Sequence, residues 1–182
     1  MSPAIGFRVW RIDDMLTGPR LASPHRYAAW VPGLPLKAEC QDESGARALA
    51  NPHRKQPGVA PPLEGCTCGI YAYHDADDMV AALTSRLVGG AVLAWGRLTI
   101  HQQGFRTEFA RPLALCYPPM FLPDSLARLA HVYGLPVLDA SHIAVFATEF
   151  GESYRPAAEP SDDWTRRMAT SVRRVLGAWF RG

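Results

Sequence analysis

The chain has 182 residues, enough for one ordinary domain or for a domain with an appendage. A hydrophobic fraction of 48% supplies a core, and a charged fraction of 20% with a formal net charge of +2 excludes a wholly disordered chain and gives no argument for nucleic acid by charge alone. Four cysteines are too sparse for a disulfide scaffold, no apolar run approaches the ~20 residues of a spanning helix, and the first residues lack a basic-then-apolar leader pattern; the expectation is a cytoplasmic protein with reduced thiols and no transmembrane segment.

Gly6 to Ile12 alternates, with Phe7 and Val9 on one face and Arg8, Trp10 and Ile12 on the other, which predicts a strand covered on both sides. Thr17-Gly18-Pro19 is a turn signal. Leu21 to Trp30 reads as a second extended piece, Val31-Pro32-Gly33 as a turn, and Leu34 to Cys40 as a short extended segment. Residues 41–65 are polar and then rich in Pro and Gly, a long loop that a compact domain must fix by contacts or ligands. Gly69 to Tyr73 alternates as a strand. Asp75 or Asp77 can cap a helix to about Val88, with Met79, Val80, Leu83 and Leu87 at helical spacing and Gly89-Gly90 as its stop.

Ala91 to His101 is the longest strand candidate; Gln102-Gln103-Gly104 turns it, Phe105 to Ala110 returns, and Leu113 to Tyr117 adds a strand after Pro112. Gly96 marks a bulge or bend, and strands this bent can roll into a small barrel. A helix from about Pro123 to Tyr133 stops at Gly134, Leu135 to Leu138 is extended, and Ser141 to Phe150 fits either helix or strand. Residues 151–160 read as a linker. Ser161 caps a last helix to about Phe180, with Asp162 and Asp163 in its first turn. The fold expected is α+β: residues 1–150 form a bent antiparallel sheet or small barrel with two short helices, and residues 161–182 an amphipathic helix.

Chemistry concentrates at Cys66-Thr67-Cys68-Gly69-Ile70-Tyr71-Ala72-Tyr73. With Cys40 and His53 upstream, these thiols form a C-x12-H-x12-C-x-C series, three thiolates and an imidazole of the kind tetrahedral zinc takes. The spacing departs from paired C-x-x-C knuckles, so inert buried thiols and redox chemistry stay open beside zinc, and Cys116, His74 or His101 can stand in for a ligand. Trp95, Arg97, His101, Arg106 and Glu108 gather on the hairpin. His101 and Glu108 can support acid–base work in a small hydrolase or transferase, or the set can be a solvated sheet face with cross-strand pairs. No phosphate loop, dinucleotide fingerprint, serine elbow or H-E-x-x-H motif occurs. On the last helix, Trp164, Met168, Val172, Val175, Leu176 and Trp179 make one face and Arg166, Arg167, Arg173 and Arg174 the other. That pattern serves packing, docking of a protein partner, or, together with Arg97 and Arg106, nucleic acid.

The order Gly-Phe-Arg-Val-Trp, Trp30-Val31-Pro32-Gly33, Ala38-Glu39-Cys40, Ala60-Pro61, Cys66-Thr67-Cys68-Gly69-Ile70-Tyr71-Ala72, Trp95-Gly96-Arg97, His101, Gly104-Phe105-Arg106 and Glu108-Phe109-Ala110-Arg111-Pro112 resembles a group of actinobacterial proteins of uncharacterised function. The resemblance spans about residues 5–115. In that group a His stands just before the Ala-Pro pair; here His53 precedes Ala60-Pro61 by a longer interval. The resemblance implies a defined domain through residue 115 and carries no activity. The function expected is therefore a non-enzymatic binding or adaptor module with a structural zinc.

Overall fold

A computed structural model describes residues 3–15, 18–24, 28–40, 53, 56, 58–117 and 124–154. The fold is α+β, one mixed eight-stranded sheet with three short helices among the described residues. In chain order the elements are β1 (Ala4–Met15), β2 (Gly18–Ala22), β3 (Leu36–Lys37), β4 (Ile70–Tyr73), α1 (Ala76–Ala81), β5 (Leu87–Ile100), β6 (Gly104–Tyr117), α2 (Asp124–Tyr133), β7 (Val137–Asp139), α3 (Ile143–Ala147) and β8 (Glu152–Ser153). The helix read at residues 161–182, and the linker from residue 155, lie outside the described residues.

β5 and β6 form the long hairpin that the sequence predicts, and β1 lies antiparallel on the far edge of β5. β4 pairs both β1 and β6, so the pairings return on themselves through four strands of a strongly bent sheet. The sheet is not purely antiparallel as expected: β7 joins β6 and β8 joins β1 in parallel. The hairpin holds two irregularities. One lies at Gly96, where Trp95 faces Phe109 and the next pair is Leu98 with Thr107. The other lies where Val92 faces Pro112 and Ala91 faces Ala114. Proline cannot donate to a ladder, and the bulge lets β6 run through Pro112 unbroken instead of starting a new strand after it.

The alternation of β1 sorts its side chains between two apolar clusters. Ile5, Phe7 and Val9 join Met79, Ala91, Leu113, Cys116, Ile143 and Ala147 on one face. Ala4 and Trp10 join Trp30, Leu21, Phe105, Leu115, Leu126 and Leu129 on the other, with Ile12 packed against them. Trp10 and Trp30 meet edge to face at 5.5 Å. Tyr133 at the end of α2 ties this face together, accepting from the Leu21 amide at 3.1 Å and donating to the Trp30 carbonyl.

The helix expected to run to Val88 ends at Ala81, and Leu87 and Val88 already belong to β5. Gly89 and Gly90 are not its stop. They pair with Cys116 and Leu115 in mid-strand, and a Cβ at Gly90 would meet the Ala114 carbonyl and come within 2.8 Å of the Trp10 ring. Close approach of neighbouring groups, not helix termination, accounts for the glycine pair. β8 begins inside the stretch read as a linker, pairing with Ala4 and Ile5. No described helix is long and apolar enough to cross a membrane.

Candidate metal centre

The edge of β6 opposite β5 is shared end to end. β4 occupies it from Gly104 to Thr107, and β3 from Phe109 to Ala110. The Ala38 amide continues the β3 register with a 2.7 Å bond to the Glu108 carbonyl. β3 therefore ends where β4 begins, and the chain between them leaves and returns at one point. Cys40 stands just past the departure. Cys66 and Cys68 stand just before the return.

The turn that delivers the two later thiols has its own signature. The Cys66 amide bonds back to the Leu63 carbonyl at 3.1 Å, with Gly65 at φ 76 in the third position. A type II turn needs a positive φ there, which glycine supplies without strain. Beyond it, residues two apart in an extended segment point the same way, so Cys66 and Cys68 converge. Arg106 fixes this segment from β6. Its guanidinium donates to the carbonyls of both Cys66 and Cys68, the latter at 2.9 Å.

Four side chains meet at this neck. One ligand atom each from Cys40, His53, Cys66 and Cys68 all lie within 4.8 Å of one another. The Cys40 and Cys66 sulfurs are 3.6 Å apart, and His53 Nε2 is 3.1 Å from the Cys68 sulfur. A disulfide needs about 2.05 Å between sulfurs, so none is formed. Zinc–sulfur bonds of about 2.3 Å in a tetrahedron place sulfurs about 3.8 Å apart, which the Cys40–Cys66 pair matches. Cys66 and Cys68 are buried, Cys40 and His53 partly so. Among the described residues, the apolar cluster around these thiols holds Leu63, with Val59 packed against it. These four residues lie close enough to hold a metal ion.

The other candidates for the fourth ligand have different partners. Cys116 lies in the core with its sulfur 3.9 Å from that of Met79. Burial, with a smaller effect from Asp139, pushes its thiol up to about 12. His74 Nε2 contacts the His101 carbonyl at 2.8 Å. His101 Nε2 accepts from Arg106 Nε at 2.9 Å. Burial, then Arg106 and His74, hold the His101 imidazole below its usual value, which keeps that lone pair available.

The hairpin residues are not assembled as one site. His101 engages Arg106, whereas the Glu108 carboxylate accepts from the Arg97 amide at 3.3 Å and closes the Gly96 bulge. Trp95 stacks on Phe109 at 5.9 Å, and the Arg97 side chain is exposed. Trp164, Met168, Trp179, Arg166, Arg167, Arg173 and Arg174 lie outside the described residues. Sequence reasoning missed the role of Arg106: a lone arginine on a strand gives no signal that it will reach two loop carbonyls. It also missed Arg8, although its place in the β1 alternation marks a charge on an apolar face.

Comparison with protein-family models, with curated proteins and with solved structures found no match to this chain. The fold and the Cys/His cluster thus define the class, an α+β domain with a metal-competent loop neck.

Proposed function

We propose that Cys40, His53, Cys66 and Cys68 bind one zinc ion, and that the protein is a non-enzymatic binding module whose loop the ion staples to the sheet. The observation that carries this reading is the convergence of four soft or borderline ligand atoms within 4.8 Å of one another. Three thiolates and an imidazole favour zinc over hard cations. Four protein ligands close the tetrahedron and leave no position for a substrate or a reactive water, which is the pattern of a structural site. The Arg106 bonds to the backbone of two ligand residues support the ligand geometry from outside.

Elemental analysis of freshly purified, unchelated protein tests this: about one zinc per chain is expected. Protein without metal, or metal that persists when Cys66 and Cys68 are both replaced by serine, overturns it. The partner surface is proposed from the sequence pattern of residues 161–182, with the Trp164, Met168 and Trp179 face as its apolar anchor. Unchanged oligomeric state and solubility after deletion of residues 155–182 would count against docking there.

A further inference from the structure

Beside the metal loop lies a cavity with a volume of about 510 Å³. That lies inside the range of about 300–1,000 Å³ typical of small-molecule sites. It forms where the edges of β1, β3 and β4 gather. Its walls include Val9, Leu36, Ala29 and Ile70, with Tyr71 and Tyr73 meeting edge to face at 5.2 Å. Thr67 and Cys68 of the metal loop reach the same cavity.

Arg8 lines it too. Position 8 lies on the same face of β1 as Trp10, where the alternation calls for an apolar residue, and the guanidinium lies 5.6 Å from the centre of the Trp30 ring. One terminal nitrogen donates to the Tyr71 carbonyl and the other to the Ser23 hydroxyl at 2.9 Å. These use two of the five N–H donors of a guanidinium. Its Nε is buried without a partner, and no described carboxylate pairs with it. Burial brings the group down to about 10, so it remains charged at neutral pH. Arg8 is partly buried, and a cation withdrawn from water with no anion among the described residues carries a desolvation cost that bonds to neutral oxygens offset only in part. Lys37 and Glu39 also line the cavity, but both are exposed, and the Lys37 ammonium lies 5.7 Å from the centre of the Phe109 ring; among the described lining residues Arg8 is the partly buried charge.

We infer that this cavity binds a small organic monocarboxylate, its carboxylate on Arg8 and its apolar or aromatic body against Ile70, Leu36 and the two tyrosines. The guanidinium fork suits a carboxylate, and a single guanidinium suits a monoanion better than a phosphate dianion. The carboxylate contact itself stands apart from the metal loop, because Arg8 lies on β1 and its partners lie on β4 (Tyr71) and just past the end of β2 (Ser23), while Thr67 and Cys68 of the loop line another part of the wall.

The test uses the full chain as purified and follows tryptophan fluorescence, since Trp30 touches Arg8, together with the thermal midpoint. Phenylacetate, 3-phenylpropionate and 4-phenylbutyrate are titrated to about 10 mM, where a millimolar site is largely filled. Each is compared with its uncharged amide and with inorganic phosphate. At least one carboxylate should bind, about tenfold or more tightly than its amide, as loss of a charge-assisted bond requires. Arg8→Met should abolish that preference while the protein stays folded, and Arg8→Lys should weaken it. No binding by any of the three acids, equal binding of acid and amide, or stronger binding of phosphate overturns the proposal. The acid–amide comparison in the unaltered protein decides the matter even if Arg8→Met fails to fold.

Discussion

Cys68 and Cys116 carry the same thiol in opposite settings. Cys68 shares a neck with three other side chains close enough to hold a metal ion, whereas Cys116, on β6, is packed against Met79 in the core. Metal content separates them. Cys68→Ser should lose most of the bound zinc, and Cys116→Ala should keep about one per chain while costing some stability through a small core cavity. Reactivity separates them as well. After chelation at neutral pH, Cys40, Cys66 and Cys68 should react with a thiol reagent well before Cys116, whose proton burial holds to about 12. The same shift has a stability consequence of fixed sign. The unfolded thiol ionises near its ordinary 9.0 and the native one does not, so this contribution is intact below that pH and is lost as the pH rises toward about 12. Denaturant midpoints across that window should fall less steeply in Cys116→Ala than in the unaltered protein. Parallel slopes would mean that the native thiol is not held protonated.

At the scale of elements, Arg106 links strand β6 to the loop that carries Cys66 and Cys68, two of the proposed ligands. Arg106→Met keeps the stem on the sheet and removes the donors to both carbonyls. Zinc affinity, measured by competition with a chromophoric chelator, should fall by about ten- to a hundredfold, the usual effect of losing an outer-sphere support. Unchanged affinity would make the clamp incidental. Gly90→Ala probes the close packing of β5. The added methyl would meet the backbone carbonyl of Ala114, which cannot swing away, so a loss of about 1–3 kcal/mol is expected in urea denaturation. Gly89→Ala meets the side chains of Met79 and Cys116 and should cost less if those can yield.

The same elements explain what the sequence conveys and what it withholds. The two-residue alternation of β1 and the Gln102-Gln103-Gly104 turn are local signals, and both elements stand as expected. Met79, Val80, Leu83 and Leu87 also present a local signal, yet only the first part is helical, because the strand pairing of Leu87 with Arg11 claims the rest. Pro112 locally argues for a new strand, and a bulge in the neighbouring pair overrides it. The donor types at Cys40, His53, Cys66 and Cys68 are readable as residues, and their chemistry is the ground for expecting them to meet. The way they meet is not readable, since it depends on β3 and β4 sharing one edge of β6, a long-range fact with no periodicity to announce it. Arg8 is the reverse case: the pattern exposes it as an anomaly, but the cavity that gives it meaning arises only when the strands close around it.

Across the whole molecule, two kinds of stabilisation divide the work unevenly. The sheet rests on two apolar clusters containing Trp10, Trp30, Phe105, Ile5, Met79 and Leu115, and none of these is a proposed zinc ligand. Among the described residues the loop neck rests on Leu63, Val59, Cys40, Cys66 and Cys68, a small apolar cluster beside the two that hold the sheet. Removing the ion should therefore act locally. A zinc chelator is expected to lower the thermal midpoint by an amount set by ligand linkage, growing with the free zinc concentration before chelation. Amides of residues 58–69 should lose hydrogen-exchange protection, while those of β1, β5 and β6 retain most of theirs. The Cys66 amide, bonded within the neck to Leu63, should exchange early, and the Leu115 amide, bonded to the Pro136 carbonyl beside the core, should exchange late. Cooperative loss of protection throughout the sheet on chelation would show instead that the ion holds the whole fold, as it does in domains too small to bury a core of their own.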